Sequence, residues 1–399
     1  RNPYLRAHFT EVLALFVPRK DGRAAAGAYA AERMAAVLAG HALARRHLAS
    51  ALMGFFVDIE FTGSHTQFHD KFTYRHHMAV VLEHLWGMEA YRNSIVAVAE
   101  DAERFVRFNN FILNDASYCM DEALLKISKI REVEQLQDDA AAWAARPDEE
   151  KEDLLGQLRA AEDQGGYYMQ LANEIVHMLA YLSAEPRVAT VFMRPELVGR
   201  VSQMLNHFTL RLAGPQCLSL KVRDMAKYHF DPRALLTEIG EIYVHFADRP
   251  EFPAAVVADQ RSYKPDVFDR AVKRVLRYSL KETTLADFEK LARQCKELAA
   301  AEMQVEEDLG ETPDDYMCQI TYELMTDPVT LPGSKANVER SAIMRHLLSD
   351  ETDPFNRSHL TPDMLSTNEE LKAEIAKWRQ ETLAAKRGGG AGEPMAVDG

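Results

Sequence analysis

Residues suited to chemistry are few in this chain, and the densest group is a run of histidines. His65 and His69 are four residues apart, so on a helix their imidazoles would share one face, as metal ligands do. Three more histidines follow at His76, His77 and His84. A metal-dependent hydrolase built on this run is one alternative, and it would require a metal to copurify with the protein.

The cysteines offer a second kind of chemistry. They are Cys119, Cys217, Cys295 and Cys318, and no two form a C-x-x-C pair, so the sequence indicates neither a zinc site nor a disulfide framework. Cys318 could act as a thioester-forming nucleophile, but no nearby histidine or aspartate motif would activate it. We therefore disfavour a covalent intermediate on this chain. Few cysteines beside 16 methionines are typical of a reducing compartment.

A short turn near the C-terminal end holds no nucleophile and no metal cluster. The segment TDPFNR, residues 352–357, joins an aspartate-proline pair to an arginine. Proline fixes its own φ angle. The guanidinium of Arg357 carries five donors and keeps its charge at every relevant pH. The turn can therefore offer a donor in a defined place, provided that the surrounding elements position it.

Length and charge limit the class of protein. With 399 residues and 45.1 kDa, the chain is too long for one ordinary core, so two or more domains are expected. The net charge of -14 argues against nucleic-acid partners and anionic membranes, because both need clustered lysine and arginine. No apolar run approaches the ~18 residues that span a bilayer. Because the chain has no secretory pattern and no starting methionine, we expect a fragment of a longer protein.

Residues 1–301 are predicted to be helical throughout. Asn2 can cap a first helix whose first position is Pro3. The charged, alanine-rich segment 138–153 predicts the tip of a helical hairpin or an insert. Few alternating β-rich segments and no fixed-length repeat occur in this region. We therefore expect a mainly α fold, namely an armadillo-like or irregular helical solenoid, rather than a parallel sheet or a regular repeat array.

The clearest helix of this region lies near residues 104–136, where apolar residues recur with a period near 3.6. Asn109, Asn110 and Asn114 fall inside it. Asparagine is a weak helix former, so these three residues suggest a kink or a break.

The pattern changes toward the C-terminus. Residues 302–312 are acidic with little apolar periodicity and predict a linker. Residues 313–385 contain two short strand candidates around a Pro-Gly-Ser turn, then a helix, and a last helix that Asn368 or Thr367 can cap. This is a small unit for a domain without metal or disulfides. Residues 386–399 are rich in glycine and predict a disordered tail.

Residues 313–380 resemble a U-box. The segments TPDDYMCQITYELMTDPVTLP, VERSAIMRHLLSDETDPFNR and LTPDMLSTNEELKAEIAKW contain M-x-D-P-V, R-S-x-I-x-x-H-L-L and D-P-F-N-R in this order. The resemblance implies a small α+β, RING-like fold in which hydrogen bonds and salt bridges replace zinc, so it implies no cofactor and no metal. One departure lies at Cys318 and Gln319, where related factors more often carry Asp-Pro.

Further segments narrow the family. DIEFTGSHTQFHDKF, FNNFILNDASYCMDEALLKISKI, GPQCLSLKVRDMAKYHFDPRALL and RSYKPDVF are similar to the core of the ubiquitin chain-elongation factors, which combine a long helical core with a C-terminal U-box. The resemblance covers most of the chain. It implies a core over residues 1–301 and a U-box over residues 313–385.

The implied activity is that of a ubiquitin ligase without a nucleophile of its own. It would bind a conjugating enzyme that carries ubiquitin as a thioester. It would promote transfer of that ubiquitin to lysines of already ubiquitylated substrates, in protein quality control and proteasomal degradation. The source of rate would be positioning and hydrogen bonding of the conjugate.

The resemblance also implies roles for individual residues. Those expected to bind the conjugating enzyme are Ile320, Tyr322, Pro354 and Asn368. Arg357 would bridge that enzyme and its attached ubiquitin. The polar network that takes the place of zinc would comprise Asp327, Ser334, Glu339, Arg340, Asp353 and Asn356. Alternatives stay open: Ile320 could be a core residue, Arg357 a salt-bridge partner inside the network, and Asn368 only a helix cap.

Partners and location follow from the same resemblance. We expect a ubiquitin-charged conjugating enzyme and ubiquitylated substrates as partners, a AAA-type segregase as a further partner, and a monomer in the cytoplasm and nucleus. The rival class is a non-catalytic scaffold that links such a segregase to the ubiquitin machinery. The intact Ile320, Pro354 and Arg357 favour the enzyme, since an inactive U-box would tend to lose the arginine first.

Overall fold

The computed structural model describes residues 2–18, 24–61, 68–348 and 350–389. The chain divides into two compact units, a helical unit, Arg1–Ala292, and a C-terminal unit, Arg293–Gly399. Helices dominate both units, so the prediction of a mainly α fold is confirmed. In the part of the chain that the structure describes, no helix is long and apolar enough to cross a membrane.

The helical unit is built from helices of unequal length. Its α-helices are α1 Pro3–Phe16, α2 Ala28–Gly40, α3 Ala42–Asp58, α4 Phe68–Trp86, α5 Glu89–Glu100, α6 Ala102–Asp138, α7 Ala140–Ala145, α8 Asp148–Ser183, α9 Pro186–Phe192, α10 Pro195–Ala213, α11 Pro232–Phe246, α12 Glu251–Ala258, α13 Pro265–Ala271, α14 Arg277–Ser279 and the start of α15 Glu282–Leu309. A π-helical turn, Val272–Leu276, joins α13 to α14. Short 3-10 helices span Ile59–Phe61, Pro215–Leu220 and Ala226–Tyr228.

The first helix begins where the sequence predicts. Pro3 is its first residue, and the side-chain oxygen of Asn2 accepts a hydrogen bond from the Leu5 N–H at 3.3 Å. Proline suits this position because its missing N–H would have no partner within the helix. The predicted cap is therefore confirmed.

The two longest helices of the unit pack against each other as a hairpin. α6 has 37 residues and α8 has 36, with the short α7 between them. The predicted hairpin tip at residues 138–153 is therefore confirmed. The predicted break is wrong, because α6 continues through all three asparagines, of which Asn109 and Asn110 are fully buried. Packing against α3, α8 and α10 outweighs the weak helix propensity of asparagine.

A buried ion pair joins α4 to α6. Arg75 is 2% exposed, and its guanidinium donates to the two oxygens of Asp115 at 2.8 and 3.0 Å and to the Phe56 carbonyl at 3.1 Å. It also lies over the rings of Phe56 and Phe111, which favours a cation. Burial raises the pKa of Asp115 to about 6, against the pull of Arg75. Separating such a pair would leave a buried charge alone, so the pair favours one alignment of α4 on α6.

Aromatic side chains fill the core near the C-terminal end of the helical unit. The buried rings are those of Tyr243, Phe246, Phe252, Phe268 and Phe288. Their neighbouring centroids are 5.2 to 5.9 Å apart, the range in which aromatic pairs attract. The Tyr243 hydroxyl donates to the Asn206 side chain at 2.8 Å, so this large apolar core leaves that phenol paired.

The C-terminal unit contains the rest of α15, two strands and two helices. These are β1 Pro328–Thr330, β2 Asn337–Glu339, α16 Arg340–Leu347 and α17 Glu369–Gly389, with 3-10 helices at Asp314–Tyr316 and Pro362–Met364. The strands pair antiparallel, with Val329 opposite Val338. Both valines are fully buried in a small core that includes Ile343, Leu360 and Ile375. The predicted order of two strands, a helix and a last helix is confirmed.

Two predicted boundaries differ from the structure. Residues 302–309, which the sequence assigns to the linker, continue α15. Glu, Met and Gln are good helix formers, so an exposed helix can continue there without an apolar face. Gly310 follows with φ +66°, the left-handed conformation that commonly ends a helix. Residues 386–389, assigned to the tail, belong to α17, and residues 390–399 lie outside the described residues.

Candidate docking and transfer site

The first loop of the C-terminal unit, residues 318–323, is closed by backbone hydrogen bonds at both ends. The Cys318 N–H donates to the Glu323 carbonyl, and the Tyr322 N–H donates to the Cys318 carbonyl, each at 2.8 Å. Tyr322 has φ +57° and a side chain that is 75% exposed. Ile320 is partly buried against the small core. The loop thus presents a large exposed ring above an aliphatic side chain that is partly a core residue.

The second loop, residues 352–357, is held from inside by Asp353. This carboxylate is fully buried and accepts hydrogen bonds from the N–H groups of Ser334 at 3.0 Å and Phe355 at 2.9 Å. Burial alone would raise the pKa of Asp353, but hydrogen bonds to Phe355 and Ser334 outweigh it and hold the pKa below its usual value. The ionised form therefore braces the loop.

Pro354 and Arg357 extend from this braced loop into solvent. Both residues are exposed. The Arg357 N–H donates to the Asp353 carbonyl at 2.8 Å, and Arg357 has φ +60°. A non-glycine residue in this conformation is strained and persists where its surroundings fix it. Within the described part of the chain the Arg357 guanidinium forms no salt bridge, so its donors are available to another molecule.

The turn between the strands lies very close to the second loop. A Cβ atom on Gly333 would collide with Ser358 Oγ and would lie 2.9 Å from Asn356 Nδ2 and 3.1 Å from Asp353 Oδ2, so a larger residue there would displace these side chains. The Asn356 side-chain oxygen accepts from the N–H and the hydroxyl of Ser358 at 2.9 and 2.7 Å. Asn356 therefore stabilises the end of the second loop.

A second polar network joins the start of β1 to both helices of the unit. The Asp327 carboxylate contacts Arg340 Nε at 2.6 Å and Lys372 Nζ at 2.8 Å. The hydrogen bond from Lys372, with the nearby Arg340, lowers the pKa of Asp327. The Glu339 carboxylate accepts from the N–H groups of Thr326 at 2.8 Å and Asp327 at 3.0 Å. All six residues assigned to the network by sequence are thus hydrogen-bonded within the unit.

Asn368 caps the last helix, one of the two roles that the sequence leaves open. Its side-chain oxygen accepts from the Leu371 N–H at 3.0 Å, and its amide donates to Thr330 Oγ1 at 2.9 Å. Its backbone N–H donates to the Pro328 carbonyl at 2.8 Å. The side chain therefore caps α17 and also binds β1, whereas its contact with a conjugating enzyme stays a prediction.

Sequence reasoning missed Lys372. This lysine completes the Asp327 network from 45 residues away. Its spacing from Asn368 suggests only an exposed position in the first turn of α17, so no local signal identifies it.

The alternative chemistries receive no geometric support. Among the described residues, no group of three His, Cys, Asp or Glu side chains is placed to hold a metal ion. His65 and the side chain of His69 lie outside the described residues. Cys318 is fully buried, so a thioester could not form on its sulfur without opening the core of the unit.

The paired strands, the central helix and the two braced loops define a RING-like domain that polar networks hold together. Residues 312–383 match the U-box domain family, and residues 1–296 match the ubiquitin elongating factor core family. The core match covers most of the chain. The chain therefore belongs to the family of ubiquitin elongating factors, with a helical core followed by a U-box.

Curated relatives support the same assignment. The chain is 41% identical over 395 residues to the probable ubiquitin conjugation factor E4 of Arabidopsis thaliana, covering 98% of this chain and 37% of that protein. It is 36% identical over 377 residues to ubiquitin conjugation factor E4 of Schizosaccharomyces pombe, covering 94% and 36%. It is 35% identical over 349 residues to the E4 ubiquitin-protein ligase UFD2 of Saccharomyces cerevisiae, covering 85% and 36%. The chain thus spans little more than a third of these relatives.

Proposed function

We propose that this chain acts as a U-box ubiquitin ligase that elongates ubiquitin chains on already ubiquitylated proteins. The observation that carries the proposal is the exposed Arg357, which has a strained left-handed backbone, donates its N–H to the Asp353 carbonyl and forms no salt bridge within the described residues. If Arg357 only stabilised the fold, its guanidinium would be expected to bond the carboxylates of the C-terminal unit.

Docking of the conjugating enzyme is the first step of the proposal. Tyr322 and Pro354 are exposed, and Ile320 is partly exposed. Together they offer a small apolar surface on loops whose backbones are already ordered. A preordered surface loses little entropy on binding, while its small size keeps the interface weak. A relay enzyme needs both properties, because the conjugating enzyme must leave after each transfer.

Transfer is the second step. Arg357 would donate hydrogen bonds to the conjugating enzyme and to its attached ubiquitin at once, which restricts the flexible conjugate to arrangements open to attack by a lysine. No covalent bond to this chain is needed, in keeping with the burial of Cys318. A chain that only positions the conjugate would accelerate discharge without forming an intermediate.

The names of the relatives support this activity, since one is called a ubiquitin-protein ligase and others ubiquitin conjugation factors. We extend the proposal to a monomer that works in the cytoplasm and nucleus and that cooperates with a AAA-type segregase through the helical unit. A scaffold without catalytic activity is the second candidate. It would bind the same partners but leave the rate of discharge unchanged.

A reconstituted assay tests the docking step. Ubiquitin-charged conjugating enzymes are incubated with the chain and a preubiquitylated substrate, and binding is titrated separately. We expect Ile320→Ala and Pro354→Ala to weaken binding about tenfold, close to the loss of one good apolar contact. Met364→Ala is the matched control, because this side chain is 42% exposed in the same unit and lies outside both loops. Wild-type affinity in both loop variants would remove the proposed docking surface.

A further inference from the structure

The sulfur atom of Cys318 lies at the centre of the first loop. It accepts hydrogen bonds from three backbone N–H groups: Ile320 at 3.4 Å, Thr321 at 3.5 Å and Glu339 at 3.2 Å. The cysteine is fully buried. A thiol sulfur is a weak acceptor, yet here it is shared by two consecutive residues of the loop and by the last residue of β2.

The backbone N–H groups of the first loop depend on the Cys318 sulfur as a hydrogen-bond acceptor. The Gln319 N–H donates to the Asn337 carbonyl at 3.4 Å, and the Tyr322 N–H donates to the Cys318 carbonyl at 2.8 Å. Between them, Ile320 and Thr321 are both half-buried, and the sulfur is their acceptor. A half-buried N–H that loses its acceptor favours conformations in which it reaches water. Without the sulfur, the loop would move toward such conformations.

The strained backbone of Tyr322, the next residue, increases the dependence of the loop conformation on the Cys318 sulfur. Tyr322 has φ +57°, which a tyrosine adopts only where the surrounding structure fixes it. The sulfur fixes the two preceding residues from inside, and its bond from Glu339 ties the loop to β2. The places of Ile320 and Tyr322 therefore depend on one side chain that is itself too buried to touch a partner.

We propose that Cys318 is a positioning residue for conjugating-enzyme docking, acting through the conformation of Ile320 and Tyr322. This proposal rests on the docking function proposed above. An aspartate at position 318 is a useful comparison. A carboxylate there would offer the same N–H groups a charged and stronger acceptor. The cysteine thus gives this chain a first loop that is ordered, but held by weaker bonds than an aspartate would form.

The test compares Cys318→Ala, Cys318→Ser and Cys318→Asp in the full chain. Discharge of a ubiquitin-charged conjugating enzyme is measured against its concentration. We expect Cys318→Ala to raise KM about tenfold while kcat changes less than about twofold, because the loop is ordered only on binding. Cys318→Asp should restore KM to the wild-type value or below it, and Cys318→Ser should fall between. Cys217→Ala, a cysteine of the helical unit, is the matched control and should change neither constant.

Hydrogen exchange of the chain alone provides a second readout that needs no conjugating enzyme. We expect the amides of residues 319–322 to exchange about tenfold faster in Cys318→Ala, with β1 and α16 unchanged, and to regain protection in Cys318→Asp. Unchanged loop exchange would overturn the inference. Faster exchange throughout the C-terminal unit in all three variants would also overturn the inference. It would show that Cys318 stabilises the whole core of the unit and not the first loop in particular. If the wild type discharges no conjugating enzyme, the proposed function fails, while the exchange result still decides the role of Cys318 in the loop.

Discussion

The helical unit and the C-terminal unit differ in the size of the apolar core that stabilises them. The helical unit buries a large apolar core, with aromatic rings in contact at one end. The C-terminal unit buries a small core and adds carboxylates that accept hydrogen bonds from backbone N–H groups. A small unit cannot bury enough apolar surface on its own. Its polar groups must therefore stabilise the fold, and the same groups shape the loops proposed to act.

Two buried carboxylates, Asp115 in the helical unit and Asp353 in the C-terminal unit, have partners of different kinds. In the helical unit, Asp115 faces a charged partner, Arg75, and burial raises its pKa to about 6. In the C-terminal unit, Asp353 faces neutral N–H groups, and these hydrogen bonds keep its pKa low in spite of burial. The first carboxylate joins two helices of the helical unit, whereas the second fixes a loop of the proposed site. Changes in the two should therefore separate stability from function.

The largest expected effect is that of Asp115→Ala. The change leaves the Arg75 guanidinium buried with one fewer partner, so the helical unit should lose about 3 kcal/mol of unfolding free energy. Chemical denaturation with exchange measured in each unit is the readout. Asp121→Ala on the same helix is the control: Asp121 pairs with His207 at an exposed position, and the loss should stay below about 1 kcal/mol. Equal losses would show that the buried pair contributes no more than an exposed one.

Asp353→Ala should have the next largest effect, and only in the C-terminal unit. Two N–H groups lose their acceptor, which corresponds to about 2 kcal/mol. The same variant should abolish binding of the conjugating enzyme, because the second loop loses its shape. Asp350→Ala is the control, since this carboxylate is exposed in the same unit. If Asp353→Ala lost stability but still bound the conjugating enzyme, the Asp353 carboxylate would not both stabilise the unit and shape the docking loop.

Lowering the pH should have a smaller effect, a loss of stability in the C-terminal unit. Asp327, bonded to Lys372, and Asp353 both have folded-state pKa values below 3.8. Their contribution to stability is therefore full above about pH 4 and is lost as the pH falls through the folded-state values. The C-terminal unit should keep its exchange protection from about pH 7 to 5 and lose it below about pH 4. In Asp327→Asn, less exchange protection of the C-terminal unit should be lost as the pH falls. If the variant loses as much protection as the wild type, Asp327 is not the source of the loss.

Much of the fold could be predicted from the sequence, because helical periodicity and caps are local signals. The cap at Asn2 and the hairpin of α6 and α8 illustrate this. The break at Asn109 was predicted wrongly, because the packing that overrides propensity comes from distant helices. The buried pair of Arg75 and Asp115 was missed altogether, since 40 residues separate its members and each resembles an ordinary charged residue.

The candidate site shows the same limit on a smaller scale. The resemblance to a U-box placed Arg357 and the network residues in one unit, but it could not show the left-handed backbone at Tyr322 and Arg357. In both residues the N–H donates to a backbone carbonyl four residues earlier in the same loop. The sequence likewise identified Asn368 as a helix cap but could not show that its amide binds Thr330, 38 residues away. Sequence motifs therefore indicate which residues belong to the site, but contacts between distant residues determine their conformations and hydrogen-bond partners.

The discharge reaction tests the central claim most directly. A ubiquitin-charged conjugating enzyme is mixed with free lysine and either the wild-type chain or Arg357→Ala. Because Arg357 is exposed, the variant should unfold within about 0.5 kcal/mol of the wild type and bind the conjugating enzyme with only modest loss. Discharge should slow by at least about tenfold, with Arg357→Lys intermediate because lysine keeps the charge but loses the planar fork of donors. Discharge at the wild-type rate would contradict the bridging role of Arg357 and favour the scaffold.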